Sequence, residues 1–333
     1  MLNKLDIDYS IQMINKEVPS TGRLPRFYDE SGEGWYHCYN RIACNKDEYP
    51  LDLKGAKEAL QRFILFYSKA YECELATYIV MGNHFHILLR FPEYKQLKKE
   101  ELEERVHLFY PNTFEQSDHW SEEKWEQFNR RLFDVSSYMR NVQQGFATWY
   151  NKAFKHRGRV WADRFKSTLI YGDESMLECM QYIDLNAVRA GLVEEPEEYQ
   201  YGAMYRREIN RHKDFISLKH VLNEKSEKLA YIKYKSQVYF RGAVKTKENQ
   251  KEISDEVLQK QLKNNFKPKG ILRKKLRFFT DGLIVGSKEK VLDWLDECRS
   301  NQIYQRRKNP IEIENSIFFC LREQRSHFEK QIE

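Results

Sequence analysis

The chain of 333 residues is 41% hydrophobic and 32% charged, so it can pack a core beneath a heavily charged surface, as two domains or as one with large insertions. Its longest runs of hydrophobic types, such as 63–67, hold five residues where a membrane-spanning helix needs about 20, so a transmembrane placement and a membrane partner are excluded. Fifty-six basic against fifty acidic residues leave a mild +6. The six cysteines form no Cys-x-x-Cys pair and the first residues lack the apolar core of a signal peptide, so a reducing cytoplasm is the expected home.

Residues 34–43 are rich in aromatics, follow Gly32 and Gly34, and read as a strand. Over 54–72, Ala56, Leu60, Phe63, Ile64, Tyr67 and Tyr71 recur at helical spacing. Two β-rich runs, 76–81 and 84–91, are separated by Gly82-Asn83, a hairpin signal because both residues tolerate positive φ. This order suggests an antiparallel sheet with helices on one face, an α+β arrangement. Residues 98–110 look helical, and 111–130 look like a polar connection, giving an insertion near 93–130. An amphipathic helix is expected over 131–153, and another from Asp173 or Glu174 to Ala190, with Asp173 able to cap it and Gly191 suited to the position after its end. Beyond a boundary near 205 the chain turns Lys-rich and mainly helical, with a break at Pro268/Gly270 and a helix from Lys288 to Arg299.

Three groups of residues carry chemistry. His84 and His86 are two apart in a strand, so both imidazoles project from one face while Phe85, Ile87 and Leu89 face the other. Such a pair can hold one divalent cation and leave positions for phosphate oxygens. Taken alone, His-x-His reads more readily as one surface and one satisfied sheet histidine. Tyr182 and Asn186, four apart, share a helix face. A phenol can attack phosphorus when a cation polarises the phosphate. By itself, though, Tyr182 reads as a buried tyrosine, one of 21. The third group lies in 130–171, which holds nine Lys/Arg, two Asp/Glu and nine aromatics. There Arg157, Arg159, Arg164 and Lys166 can neutralise phosphates while Trp161 and Phe165 stack on bases, so nucleic acid is the first partner to consider.

Together the groups bring a family into view. Met81-Gly-Asn-His-Phe-His-Ile-Leu-Leu89 resembles the His-hydrophobe-His motif of single-tyrosine HUH transposases. Arg157–Ser167 resembles a segment of their REP-associated tyrosine transposase branch, and Tyr182–Val193 is similar to that branch's tyrosine helix. The resemblance spans roughly 30–205, in the family's motif order. It implies a ferredoxin-like or RRM-like antiparallel sheet with flanking helices as catalytic domain; the basic, mainly helical extension over 206–333 lies beyond that family core. It also implies that His84, His86 and Asn186 bind Mg²⁺ or Mn²⁺ and that Tyr182 is the nucleophile. The implied activity is cutting and rejoining of single-stranded DNA beside hairpin-forming repeats, through a 5′-phosphotyrosine. The implied setting is the cytoplasm near the nucleoid, and a homodimer is compatible with it. Gly82 and Ala187 stand where the family commonly has proline, and neither change removes a ligand. The rival expectation is a catalytically idle, domesticated nucleic-acid-binding protein on the same scaffold. A hydrolytic metal nuclease would call for further His, Asp or Glu ligands near these motifs. Lys263–Arg277, with seven Lys/Arg and no acid, is expected to add DNA contacts.

Overall fold

The computed structural model of the chain describes residues 34–112, 114–243, 250–262, 282–300, 309–313 and 318–322. Strand β1 (Gly34–Arg41) leads to helix α1 (Ala56–Ala70) and the hairpin β2 (Glu74–Val80) and β3 (His84–Phe91). Helices α2 (Lys99–Phe109), α3 (Glu122–Leu132) and α4 (Val135–Ala153) follow, then β4 (Lys166–Ile170) and α5 (Asp173–Asp184) with its short continuation α6 (Asn186–Arg189). The remainder comprises α7 (Ala203–Glu208), α8 (Leu218–Val221), α9 (Glu227–Gly242), α10 (Asp255–Leu262), β5 (Gly282–Ser287), α11 (Lys288–Ser300), β6 (Ile311–Glu312) and β7 (Phe318–Arg322). No helix among the described residues is long and apolar enough to cross a membrane.

The fold is mixed α+β around one seven-stranded sheet of order β2-β3-β1-β4-β5-β7-β6. Strand alternation splits its residues between two cores. On one face Tyr36, Cys38, Phe85, Ile87 and Leu89 pack with Leu60 and Ile64 of α1 and with Tyr138, Val142 and Phe146 of α4. On the other, Ile79, Leu88 and Ile170 pack with Met176, Met180 and Ile183 of α5 and with Tyr234 and Val238 of α9. Each such fully buried side chain contributes about 1.5–3 kcal/mol. Helices therefore cover both faces rather than the one expected, because Ile79, Leu88 and Ile170 present apolar side chains on the second face as well.

Other differences have local causes. The 111–130 connection contains α3, started by Ser121, whose hydroxyl accepts from the Lys124 N–H at 3.3 Å. Helices α2 and α3 close a small core of their own, Leu102, Val106, Trp125, Phe128 and Leu132, within a sequence that looked merely polar. The long helix begins at Val135 because Asp134 caps it, accepting from the N–H groups of Ser136 and Ser137 at 2.9 and 3.0 Å. The hairpin forms without positive φ at Gly82 or Asn83. Gly82 instead permits close approach: a Cβ there would lie 2.7 Å from Tyr49 Cδ1. Asp173 is the first residue of α5, and Gly172, at φ +83°, precedes it with no side-chain cap. Gly191 does take the left-handed position, at φ +71°, and the Leu192 N–H reaches back to the Ala187 carbonyl.

The tail, expected to be mainly helical, supplies α8 to α11 but also three strands of the same sheet. Of these, β5 pairs with β4 in parallel, so the sheet is not antiparallel throughout. The run Leu283-Ile284-Val285 is buried, as an interior strand requires. The Pro268/Gly270 break and Lys263–Arg277 lie outside the described residues.

Candidate active site

The register of β1 against β3 sets His86 opposite Tyr39 and His84 opposite Arg41, with His37 facing Leu88. Residues opposite one another share a sheet face. His84, His86, His37, Tyr39 and Arg41 are thus gathered on the α5 side. The rings of His84 and His86 are 5.1 Å apart and perpendicular, as the two-residue spacing predicts. Tyr39 leans on both, at 5.7 and 4.9 Å.

Each histidine has its Nδ1 engaged. Asn83 Oδ1 lies 2.8 Å from His84 Nδ1. The Asn83 amide is oriented by its Nδ2 donating to the Glu48 carbonyl at 3.2 Å, so its oxygen faces the imidazole. An amide oxygen only accepts, so His84 carries its proton on Nδ1 and its Nε2 keeps a lone pair. His86 Nδ1 is 3.0 Å from His37 Nε2, and both rings are almost fully buried. Burial, helped by the Arg41 charge, holds the His84 imidazole down to about 4. Burial and the neighbouring His37 and His84 hold His86 well below the usual histidine range. Both rings are therefore neutral near pH 7, the form in which imidazole ligates metals.

Helix α5 lies across this face and brings Tyr182 with it. The half-buried Tyr182 ring stands edge-on to His86 at 6.0 Å and to His37 at 6.2 Å. These contacts lie within one chain, so a second copy is not needed to bring the tyrosine to the histidines. The helix breaks at Leu185 into α6. There Asn186 Nδ2 donates to the carbonyls of Tyr182 and Ile183, at 2.9 and 3.1 Å, which competes with the regular ladder. With Nδ2 so used, Asn186 Oδ1 remains as a donor atom for a cation.

Two buried groups steady the segment. Asp184 accepts from Thr77 Oγ1 on β2 and, at 2.6 Å, from the Tyr234 hydroxyl on α9. Burial raises its carboxyl to about 6 against the pull of those bonds and of Arg207. Arg189, on α6, interacts electrostatically with Tyr182, and its Nη2 is buried without a hydrogen-bond partner. Burial and the nearby Arg241 lower it to about 10.

The basic segment runs along the same end of the sheet. Ile42 bridges Trp161, the Ala43 N–H donates to the Val160 carbonyl at 2.8 Å, and Asn40 Nδ2 donates to the Asp163 carbonyl at 3.1 Å. Arg157, Arg159, Arg164 and Lys166 are exposed, and Lys166 stands opposite Tyr39 on the histidine face. Trp161 has partners inside the protein. Its indole N–H donates to the Gln143 carbonyl at 2.9 Å, and its ring packs on Phe85 and Phe146 at 5.4 and 5.5 Å. This tryptophan anchors the segment to the core while staying partly exposed. Phe165 is likewise half-buried against that core.

Among the described residues, no three His, Cys, Asp or Glu side chains form a group that could hold a metal ion. The candidate donors on this face are the two imidazole Nε2 atoms, with the amide oxygen of Asn186 as the candidate third. Such a set suits a divalent cation whose remaining positions go to water and to phosphate oxygens. Reasoning from sequence missed His37, Tyr39, Arg41, Asn83 and Arg189. Only the alternation of 37, 39 and 41 against buried Tyr36 and Cys38 hinted at a shared face.

A solved structure described as the REP-associated tyrosine transposase bound to a REP hairpin aligns with 57% of this chain and 86% of its own, at 16% identity and a TM-score of 0.38. No protein-family model and no curated protein matches the chain.

Proposed function

We propose that the protein is a metal-dependent single-strand DNA nicking and joining enzyme, a transposase of the single-tyrosine HUH kind, with Tyr182 as nucleophile. What carries this reading is the convergence of three sequence-distant motifs at one end of one sheet face: the His84/His86 pair, the Tyr182/Asn186 helix and the basic segment before β4. The strand order β2-β3-β1-β4, with one helix after β1 and α4 after β3, supports a ferredoxin-like core. The residues after 205 are then an extension that adds strands to that core and DNA contacts of its own. The protein would act in the cytoplasm on hairpin-forming chromosomal DNA.

His84, His86 and Asn186 would hold Mg²⁺ or Mn²⁺. When bound, the cation polarises the scissile phosphate and offsets the charge that builds on it. Arg157, Arg159, Arg164 and Lys166 bind phosphates along the strand and draw it toward the histidine face. Arg41 and Lys166 flank that face and favour a phosphodiester there. The Tyr182 hydroxyl loses its proton and its oxygen attacks phosphorus. The bond to the 3′ oxygen breaks, and that oxygen leaves as a 3′-hydroxyl carrying a proton. The 5′-phosphate remains on Tyr182, so attack by a 3′-hydroxyl rejoins the strand without ATP. The Arg189 charge beside Tyr182 favours the oxyanion that the first step requires.

The test is a denaturing gel with labelled hairpin DNA from the flanks of the gene. A covalent protein–DNA band should form with Mn²⁺, vanish with EDTA and be absent from Tyr182→Phe. Cleavage that survives Tyr182→Phe would mean water attacks and would overturn the reading. Tight binding without any adduct would leave a nucleic-acid-binding protein.

A further inference from the structure

The bond between His37 and His86 joins two buried rings from different strands, at 1% and 2% exposure. The contact can close in either direction, with His86 donating from Nδ1 or His37 donating from Nε2. Only the first arrangement leaves a lone pair on His86 Nε2. The contact occupies Nδ1 in both cases, so Nε2 is the only ring nitrogen of His86 with which it could reach a cation. It also occupies His37 Nε2, so that nitrogen is not a third ligand while the contact holds. His84 is held differently, since the Asn83 oxygen can only accept and fixes its tautomer outright. The tautomer of His86 depends instead on a partner that can both donate and accept.

We propose that His37 is a positioning residue for His86: by accepting the Nδ1–H of His86 at its own Nε2, it holds the ring with a bare Nε2 turned to the metal. This rests on the reading of His84 and His86 as metal ligands. Binding of a cation then selects one of two proton arrangements in the pair. Loss of such an outer partner typically weakens metal binding about 10- to 100-fold.

The test is Mn²⁺ titration of the full chain, followed by calorimetry, for the wild type, His84→Ala, His37→Phe and His37→Gln. His37→Phe keeps a ring against His86 but no acceptor, and should weaken Mn²⁺ about 10- to 100-fold. His37→Gln, whose side-chain oxygen can accept from Nδ1–H, should recover most of that loss. A merely structural role would not produce this rescue. Nitrogen–proton correlation NMR on wild-type protein loaded with Zn²⁺, a diamagnetic probe, reads the tautomer without any substitution and should find the His86 proton on Nδ1. Mn²⁺ binding that depends on His84 but is unaffected in His37→Phe overturns the role of His37 alone; a proton on His86 Nε2 in the Zn²⁺-loaded protein would remove His86 itself from the ligands and, with it, the reason for the role of His37. Mn²⁺ binding indifferent to His84→Ala overturns the metal reading on which it stands.

Discussion

On one side of β3, Phe85, Ile87 and Leu89 are closed over by α1 and α4 in a core of ordinary apolar packing. On the other, His84 and His86 project from alternate positions of the same eight residues, toward His37, Tyr39 and the Tyr182 helix. The first side gains stability directly from burial. The second buries imidazoles and a carboxyl that cost stability unless each finds a partner, and here they do: Asn83, His37, Thr77 and Tyr234 supply the bonds. One strand thus holds the fold with its odd-numbered residues and turns its even-numbered histidines to the face where the proposed chemistry would occur. Substitutions on the two sides should therefore separate stability from activity.

The largest separation is expected at Tyr182. Tyr182→Phe should reduce adduct formation by a factor on the order of 10⁴ or more, while unfolding by urea shifts by less than about 1 kcal/mol. On the apolar side the outcome inverts. Phe85→Ala should cost about 3–5 kcal/mol in the same urea experiment. His84→Ala, one residue away, should abolish the dependence of cleavage on Mn²⁺ at a stability change under about 1 kcal/mol. Equal stability losses at 84 and 85 would erase the distinction between the faces.

Acid titration sharpens it further. The folded state holds His84 near 4 and His86 well below the usual histidine range, so between about pH 6.5 and 4 the unfolded chain binds the extra protons and stability falls as pH falls. Asp184, raised to about 6 from 3.8, has the opposite sign: the folded state binds its proton more tightly, so this group favours folding as pH falls through that window. Asp184→Asn removes the compensating group. Its stability should drop more steeply than wild type between pH 6 and 4, by about 3 kcal/mol at full extent. A shallower drop would mean that the carboxyl is ionised in the folded protein.

Much of this site was legible because it is local. The His84/His86 alternation, the hairpin around Gly82 and the shared helix face of Tyr182 and Asn186 each depend on neighbours in sequence. His37 was not legible, since it reaches His86 only through the pairing of β1 with β3, 49 residues away. The parallel pairing of β5 with β4 is likewise non-local, and no residue type announces it. The inward contacts of Trp161 were not legible, because an aromatic in a basic stretch serves core and nucleic acid with the same composition; its bond to the Gln143 carbonyl appears only once α4 is folded against it.

The smallest effect is expected at the surface. Replacing Arg157 and Arg159 together by alanine should lower the salt-dependence slope of DNA binding by about 2 and shift stability by less than about 0.5 kcal/mol. An unchanged slope would remove these arginines from the binding surface.

The most direct measurement is identification of the residue that carries DNA. Protein reacted with hairpin DNA and Mn²⁺ would be digested with nuclease and protease, and the peptides weighed for a residual nucleotide. The account predicts a 5′-phosphonucleotide on the peptide containing Tyr182, one of 21 tyrosines, and no other. Modification at a different tyrosine, or strand cleavage with no peptide modified, would contradict it.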